Sequence, residues 1–263
     1  MKTKTPNYLK RFTQLFIFAL AMGLLEAIVV VYARELYYPE GFQFPLTLLP
    51  EKIIYIEYLR EITTMVMLVC IGIVAGHTKL QRFSFFLFVF GVWDIFYYTG
   101  LKLLLNWPAS LLTWDILFLI PIPWIGPVLA PLLCSLGFIG ISFFLEHYQA
   151  KGKLRALSNL ELAILWTGAL VIIISFAWDF ASIILNGGFL PRFFSLVSDR
   201  EFQIILTTYI PSFYHWDIFV VGVLLVLLGL FMVYKRMYNP ICYKRNKNQH
   251  QSKEKNNSIN NWN

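Results

Sequence analysis

Six stretches of the chain are long and apolar enough to cross a bilayer, and nothing else in the sequence constrains its fold as strongly. They fall at about 12–33, 53–76, 83–105, 125–145, 160–185 and 213–234. A hydrocarbon core about 30 Å thick needs roughly 20 apolar residues per helix. Inside it every backbone amide must be paired, which a helix does within itself. Composition agrees: 58% of the 263 residues are hydrophobic, 14% are charged, and mean hydropathy is +0.62. Soluble domains carry about 25% charged residues. A soluble globule, a disordered chain and a disulfide scaffold are excluded. The expected fold is all-α: a polytopic membrane protein of about six transmembrane helices. The first stretch contains Glu26 and lacks a small-residue cleavage pattern, so it reads as a retained span rather than a signal peptide.

Lys and Arg near the span ends set the expected orientation. One side collects Lys2, Lys4, Lys10, Arg11, Lys79, Arg82, Lys151, Lys153, Arg155, Lys235, Arg236, Lys244, Arg245, Lys247, Lys253 and Lys255. The loops of the other side hold Arg34, Lys52, Arg192 and Arg200. Both termini are therefore expected in the cytoplasm of a multi-pass cell-membrane protein, which an even number of spans allows. The net charge of +7 is topological in this reading, not a nucleic-acid footprint. The domain plan is a cytoplasmic N-terminus at 1–11, one transmembrane helical domain at 12–234 and a basic, disordered cytoplasmic tail at 235–263, polar and repetitive beyond Lys244.

The segment 106–124, NWPASLLTWDILFLIPIPW, breaks the pattern. Residues 111–145 are apolar throughout except Thr113, Asp115, Ser135 and Ser142, which is long for one straight span and short for two. Pro121, Pro123, Pro127 and Pro131 each remove an amide donor and clash one turn back. A short Pro-rich re-entrant or interfacial helix near 109–124 is expected, with one long, tilted, Pro-bent helix as the alternative. The loop 186–212 carries an Asn-Gly-Gly turn, Pro191 and a short amphipathic run at 200–210 that suits an interface.

Polar chemistry is concentrated in a few positions. Four of the five aspartates directly follow a tryptophan, at Trp93-Asp94, Trp114-Asp115, Trp178-Asp179 and Trp216-Asp217. Their spacings of 21, 64 and 38 residues fit no repeat. Trp anchoring at an interface with Asp capping a helix accounts well for Asp217, fairly for Asp115 and poorly for Asp94, deep in its span. Glu57, Arg60 and Glu61 share one helix face, so Arg60 is expected to pair with Glu57 or Glu61. Asp94, Tyr97, Tyr98 and Lys102 form a second stripe, above Gly91; Lys102 would pair with Asp94 if these charges only hold the helices together. Ser175, Asp179, Ser182 and Asn186 form a third.

Twelve of the 15 acids, Glu26 among them, lie on the extracytoplasmic side or near mid-membrane in this topology. A carboxylate at a helix centre costs about 2.5–3.5 kcal/mol on insertion scales. Arg60 and Lys102 are too few to neutralise Glu26, Glu57, Glu61, Asp94, Asp115, Asp179 and Asp217. Surplus acids must be protonated or must hold a cation. The candidate site is thus a carboxylate-lined chamber of Glu26, Glu57, Arg60, Glu61, Asp94, Tyr98, Lys102, Asp115, Asp179 and Asp217, open to the extracytoplasmic side over an apolar floor.

No other chemistry is indicated. His77, His147, His215 and His250 form no zinc pair and no mid-span haem ligand. There is no G-x-S-x-G and no nucleotide-binding glycine pattern. Cys70, Cys134 and Cys242 are far apart and read as free thiols. No cofactor is evident, but oxygen ligands suit a bound Na⁺, Ca²⁺ or Mg²⁺. A small transporter or ion-coupled permease handling a cation or a cationic or polar small molecule fits best. One alternative is an outward-facing intramembrane enzyme acting on a lipid-linked substrate by carboxylate acid–base or divalent-metal chemistry. The other is an accessory or assembly subunit of a membrane complex. Partners are the lipid bilayer and a small cation or lipid-linked substrate, with no nucleic acid; the sequence leaves oligomeric state open.

The orientation has a direct test. Alkaline phosphatase fused to the C-terminus should be inactive and fused after Asn186 active; the reverse would invert the topology.

Overall fold

The structure, a computed structural model, describes residues 7–238 apart from Arg155. Most of the tail expected at 235–263, and the first six residues of the segment expected at 1–11, lie outside the described residues. The long helices are α1 (Asn7–Tyr37), α2 (Glu51–Ala75), α3 (Lys79–Leu105), α4 (Leu129–Ala150) and α5 (Asn159–Asn186). A 3₁₀ segment follows at Leu190–Ser198, then the short α6 (Arg200–Leu206), which occupies the amphipathic run, and α7 (Trp216–Tyr238). Six of these helices are long and apolar enough to cross a membrane. They coincide with the six expected stretches. The chain is a multi-pass, all-α integral membrane protein that contacts the lipid bilayer.

The expected helix near 109–124 is not there, and neither is the single bent helix. Strands β1 (Trp114–Phe118) and β2 (Trp124–Pro127) form an antiparallel hairpin instead, pairing Asp115 with Gly126 and Ile116 with Ile125. The reason is physical. Pro121 and Pro123 forbid continuous helix, whereas two short strands joined by a proline-rich turn pair their own amides. Short apolar runs read alike as strand or helix, since periodicity does not separate them. Helix α4 then starts at Leu129, where Pro131 sits in the first turn and displaces no intrahelical bond.

The described chain divides into two compact units. The first comprises the chain up to Glu146 together with Ile173–Trp216. Its main core is an aromatic layer. Phe12, Leu15, Ala19 and Met22 of α1 pack with Leu68 of α2 and with Phe85, Phe88, Val89, Val92 and Trp93 of α3. Phe12 meets Phe88 edge-on at 4.7 Å and Phe143 of α4 at 4.6 Å between centroids. A second core clasps the hairpin: Ile125 is buried with Phe180 and Ile184 of α5, Phe189, Leu196 and Phe202. Helices α3 and α4 touch at Gly91, where a Cβ would stand 2.5 Å from the Ser135 carbonyl oxygen. This close approach brings Ser135 beside Asp94.

The second unit comprises His147–Ile172 and the chain from Asp217 onward. Gly168 of α5 and Gly222 of α7 face each other; a Cβ on either would stand 2.9 Å from the other's carbonyl oxygen. Small residues of this kind let membrane helices approach backbone to backbone. Ser158 and Glu161 cap the start of α5 reciprocally, with amide donors at 2.8 and 3.3 Å. Arg236 clamps Glu161 at 2.7 and 2.9 Å and donates to the Ala156 carbonyl.

Candidate functional site

Helical spacing places the polar groups of the first unit on facing stripes. On α2, Glu57, Arg60, Glu61 and Thr64 recur at three- and four-residue intervals. Arg60 lies between two acids: its Nη1 pairs with Glu26 of α1 and its Nε donates to Glu57 at 2.7 Å. The other oxygen of Glu26 accepts the Thr64 hydroxyl at 3.1 Å. Glu26 is only 7% exposed. Arg60 therefore takes Glu57, as one of the two expected pairings had it, together with Glu26 across the helix interface.

Glu61 has a different partner. Both its oxygens accept the backbone N–H of Leu119, at 2.9 and 3.1 Å. Leu119 opens the turn of the hairpin, so α2 holds the hairpin by one buried carboxyl group. Asp115, on β1, is 1% exposed. Arg34 Nη2 donates to its Oδ1 at 3.0 Å, and the Tyr98 hydroxyl to its Oδ2 at 3.2 Å. Burial pushes the Asp115 carboxyl above the usual carboxylate range, against the opposing pull of Arg34 and Tyr98. Asp94 accepts the Ser135 hydroxyl at 2.7 Å. Tyr97 lies in the field of Asp115, Arg34, Arg60 and Asp94 together, which makes the three groupings one electrostatic neighbourhood.

The structure thus brings together Glu26, Glu57, Arg60, Glu61, Asp94, Tyr98 and Asp115. The other three candidates make other contacts or belong to other elements. Lys102 does not bind Asp94: its Nζ donates to the carbonyls of Pro108 at 3.0 Å and Asn106 at 3.3 Å. Eight residues of helix rise about 12 Å, and a lysine in the last turn is better placed on the terminal carbonyls. Asp179 accepts the Tyr209 hydroxyl, next to the core that clasps the hairpin. Asp217 sits in the first turn of α7 and belongs to the second unit.

Two groups escaped the sequence reading. Arg34 counts as a loop cation if α1 ends at residue 33, but the helix continues to Tyr37 and puts Arg34 two turns beyond Glu26. Its guanidinium carbon lies 3.8 Å from the Trp107 ring centroid and 4.4 Å from that of Phe42. These are cation–π contacts. Glu146 is 2% exposed and accepts from Gln81 at 3.0 Å, beside a Ser84–Ser142 hydroxyl contact at 3.0 Å. Along α1 and α3 the phenylalanine layer separates these groups from the acid cluster. The signal was in the sequence: Gln81 and Ser84 share a face of α3, and Ser142 and Glu146 a face of α4.

The cluster's donors and acids are unevenly matched. Arg34 Nη1 and the indole nitrogens of Trp93, Trp107 and Trp124 are buried without an acceptor among the described residues. Buried donors of this kind are met by ordered water or by a ligand's polar atoms. Among the described residues no three His, Cys, Asp or Glu side chains converge as a metal centre. A cation here would take its ligands from one or two carboxylates with hydroxyls, carbonyls or water.

The Glu26–Arg60 pair should be strongly coupled. Removing one partner of a buried pair costs about 3–5 kcal/mol, and removing both costs far less than the sum. Melting of Glu26→Gln, Arg60→Gln and the double variant in detergent should therefore be non-additive. Additive losses would mean that the two groups do not share a site.

The chain matches no protein family model, no curated protein and no solved structure, so its chemistry has to be read from these residues alone.

Proposed function

We propose that the protein is a small ion-coupled permease whose buried acid cluster takes up a proton or a monovalent cation while a small cationic or polar molecule is moved. One observation carries this reading. Five carboxyl groups, Glu26, Glu57, Glu61, Asp94 and Asp115, share one neighbourhood with two guanidinium groups, Arg34 and Arg60. Two guanidinium groups offset two of the five negative charges and leave a surplus of three. Like charges close together in a low dielectric do not all ionise, so each surplus acid holds a proton or a positive ion. Gaining and losing that charge is what couples a carrier to an ion gradient. Trp93 and Tyr97 lie beside the acids, and aromatic rings there attract an organic cation. The asymmetry of Lys and Arg supports cytoplasmic termini, with the acid cluster toward the opposite face. Glu146, beyond the phenylalanine layer, is a further titratable group on the far side of that barrier.

One feature favours a second reading. Phe12, Phe85, Phe88 and Phe143 close one end of the cluster with rings 4.6–5.6 Å apart. A carrier needs two mouths, and this layer would have to part. An intramembrane enzyme acting on a lipid-linked substrate needs one.

A stability titration tests the charge uptake. A ligand at 100 times its dissociation constant adds about 2.7 kcal/mol to the folded state. Melting temperature in detergent should rise by several degrees with Na⁺ or on mild acidification. Asp94→Asn and Glu61→Gln should remove the response, and the loop change Glu40→Gln should keep it. Proteoliposomes then separate the two readings: an imposed pH or Na⁺ gradient should drive uptake of a small organic cation such as ethidium through a permease and none through an enzyme. No response to any cation or pH step would make the cluster a structural network and leave an accessory role.

A further inference from the structure

The second unit carries a surface with no part in the acid cluster. Phe231, Tyr234, Lys235 and Tyr238 recur at helical spacing on one face of α7 and line an open cavity of about 430 Å³. All four are exposed, Phe231 by 59%. Tyr148 of α4 completes the aromatic group, 6.3 Å from Tyr234 and 6.4 Å from Tyr238 between centroids, and Tyr234 and Tyr238 are 4.8 Å apart. Lys153 Nζ lies 4.5 Å over the Tyr238 ring, and Lys151 is within electrostatic reach of it. The neighbouring acid is Glu161, and Arg236 already neutralises it through two contacts. Lys151, Lys153 and Lys235 have no carboxylate partner among the described residues, so the face is positive.

We propose that this face binds one anionic phospholipid of the surrounding leaflet. The geometry matches such a molecule in depth as well as in charge. Phe231 stands about 10 Å further into the span than Tyr238, by the rise of seven helical residues, and suits an acyl chain. The tyrosines fall in the last turns of α4 and α7, and aromatic residues at span ends suit the interface. Lys235 sits in the last turn of α7 and Lys153 in the turn just beyond α4, where they reach the phosphate, and basic pockets at span ends recognise acidic headgroups in this way. Inorganic phosphate alone would lack the acyl contact with Phe231. The site is independent of the permease reading, and its failure would leave that reading untouched.

The test uses the full chain in detergent micelles mixed with phosphatidylcholine, titrated with phosphatidylglycerol, with melting temperature as readout. Phosphatidylglycerol should stabilise the protein saturably, and added phosphatidylcholine or inorganic phosphate should not. K153Q/K235Q should weaken the apparent affinity at least tenfold, while K153R/K235R should keep it. High salt should weaken it in the wild-type protein, a measurement that needs no variant. An equal response to phosphatidylcholine, a response to phosphate alone, insensitivity to salt, or an unchanged affinity in K153Q/K235Q would each overturn the proposal.

Discussion

Arg60 reaches from α2 to Glu26 on α1, and the first unit is arranged around the problem that this contact solves. Taking an ion from water into an apolar interior costs several kcal/mol after relaxation. Glu26 is buried in a helix that crosses the bilayer, so it needs a counter-charge, a donor, or both. Arg60 and Thr64 supply them. The same demand recurs at each buried acid, and each time a different element answers it: Arg34 and Tyr98 at Asp115, Ser135 at Asp94, and the Leu119 amide at Glu61. The contacts among α1, α2, α3, α4 and the hairpin are therefore polar at one level and aromatic at another. The phenylalanine layer of α1, α3 and α4 forms the apolar level.

The hairpin is the element whose presence follows least from hydropathy and most from this demand. An irregular segment at membrane depth is tolerated where its backbone is paired or buried in protein. Residues 114–127 meet the condition twice, by pairing strand to strand and by giving the Leu119 amide to Glu61. In return the hairpin presents Asp115 to Arg34, which α1 can offer because it runs to Tyr37. Helix length, hairpin and buried ion pair are one arrangement.

The six spans were legible because a 20-residue apolar run has one stable solution in a bilayer. The shared face of Glu57, Arg60 and Glu61 was legible because helical spacing is fixed. Partner choice was not. Asp94 and Lys102 lie on one stripe, yet Lys102 turns to the Asn106 and Pro108 carbonyls and Asp94 to Ser135. That outcome depends on Gly91, which lets α4 close in, and no spacing rule within α3 reveals it. Arg34 was misplaced by a helix end set four residues short, within the usual error of such boundaries. The strands escaped because a short apolar run carries no period of its own.

The proposed charge uptake requires three acids more than the two arginines neutralise, held inside a membrane. Infrared spectroscopy reads this directly, since a protonated carboxyl group and a carboxylate absorb at separate frequencies. With the purified protein in Na⁺-free buffer near neutral pH, the account predicts a protonated-carboxyl band that shrinks on alkalinisation or on adding a monovalent cation, and that Asp94→Asn diminishes. A spectrum with no protonated carboxyl group, unchanged by any cation, would show that every acid is already ionised and paired, and would contradict it.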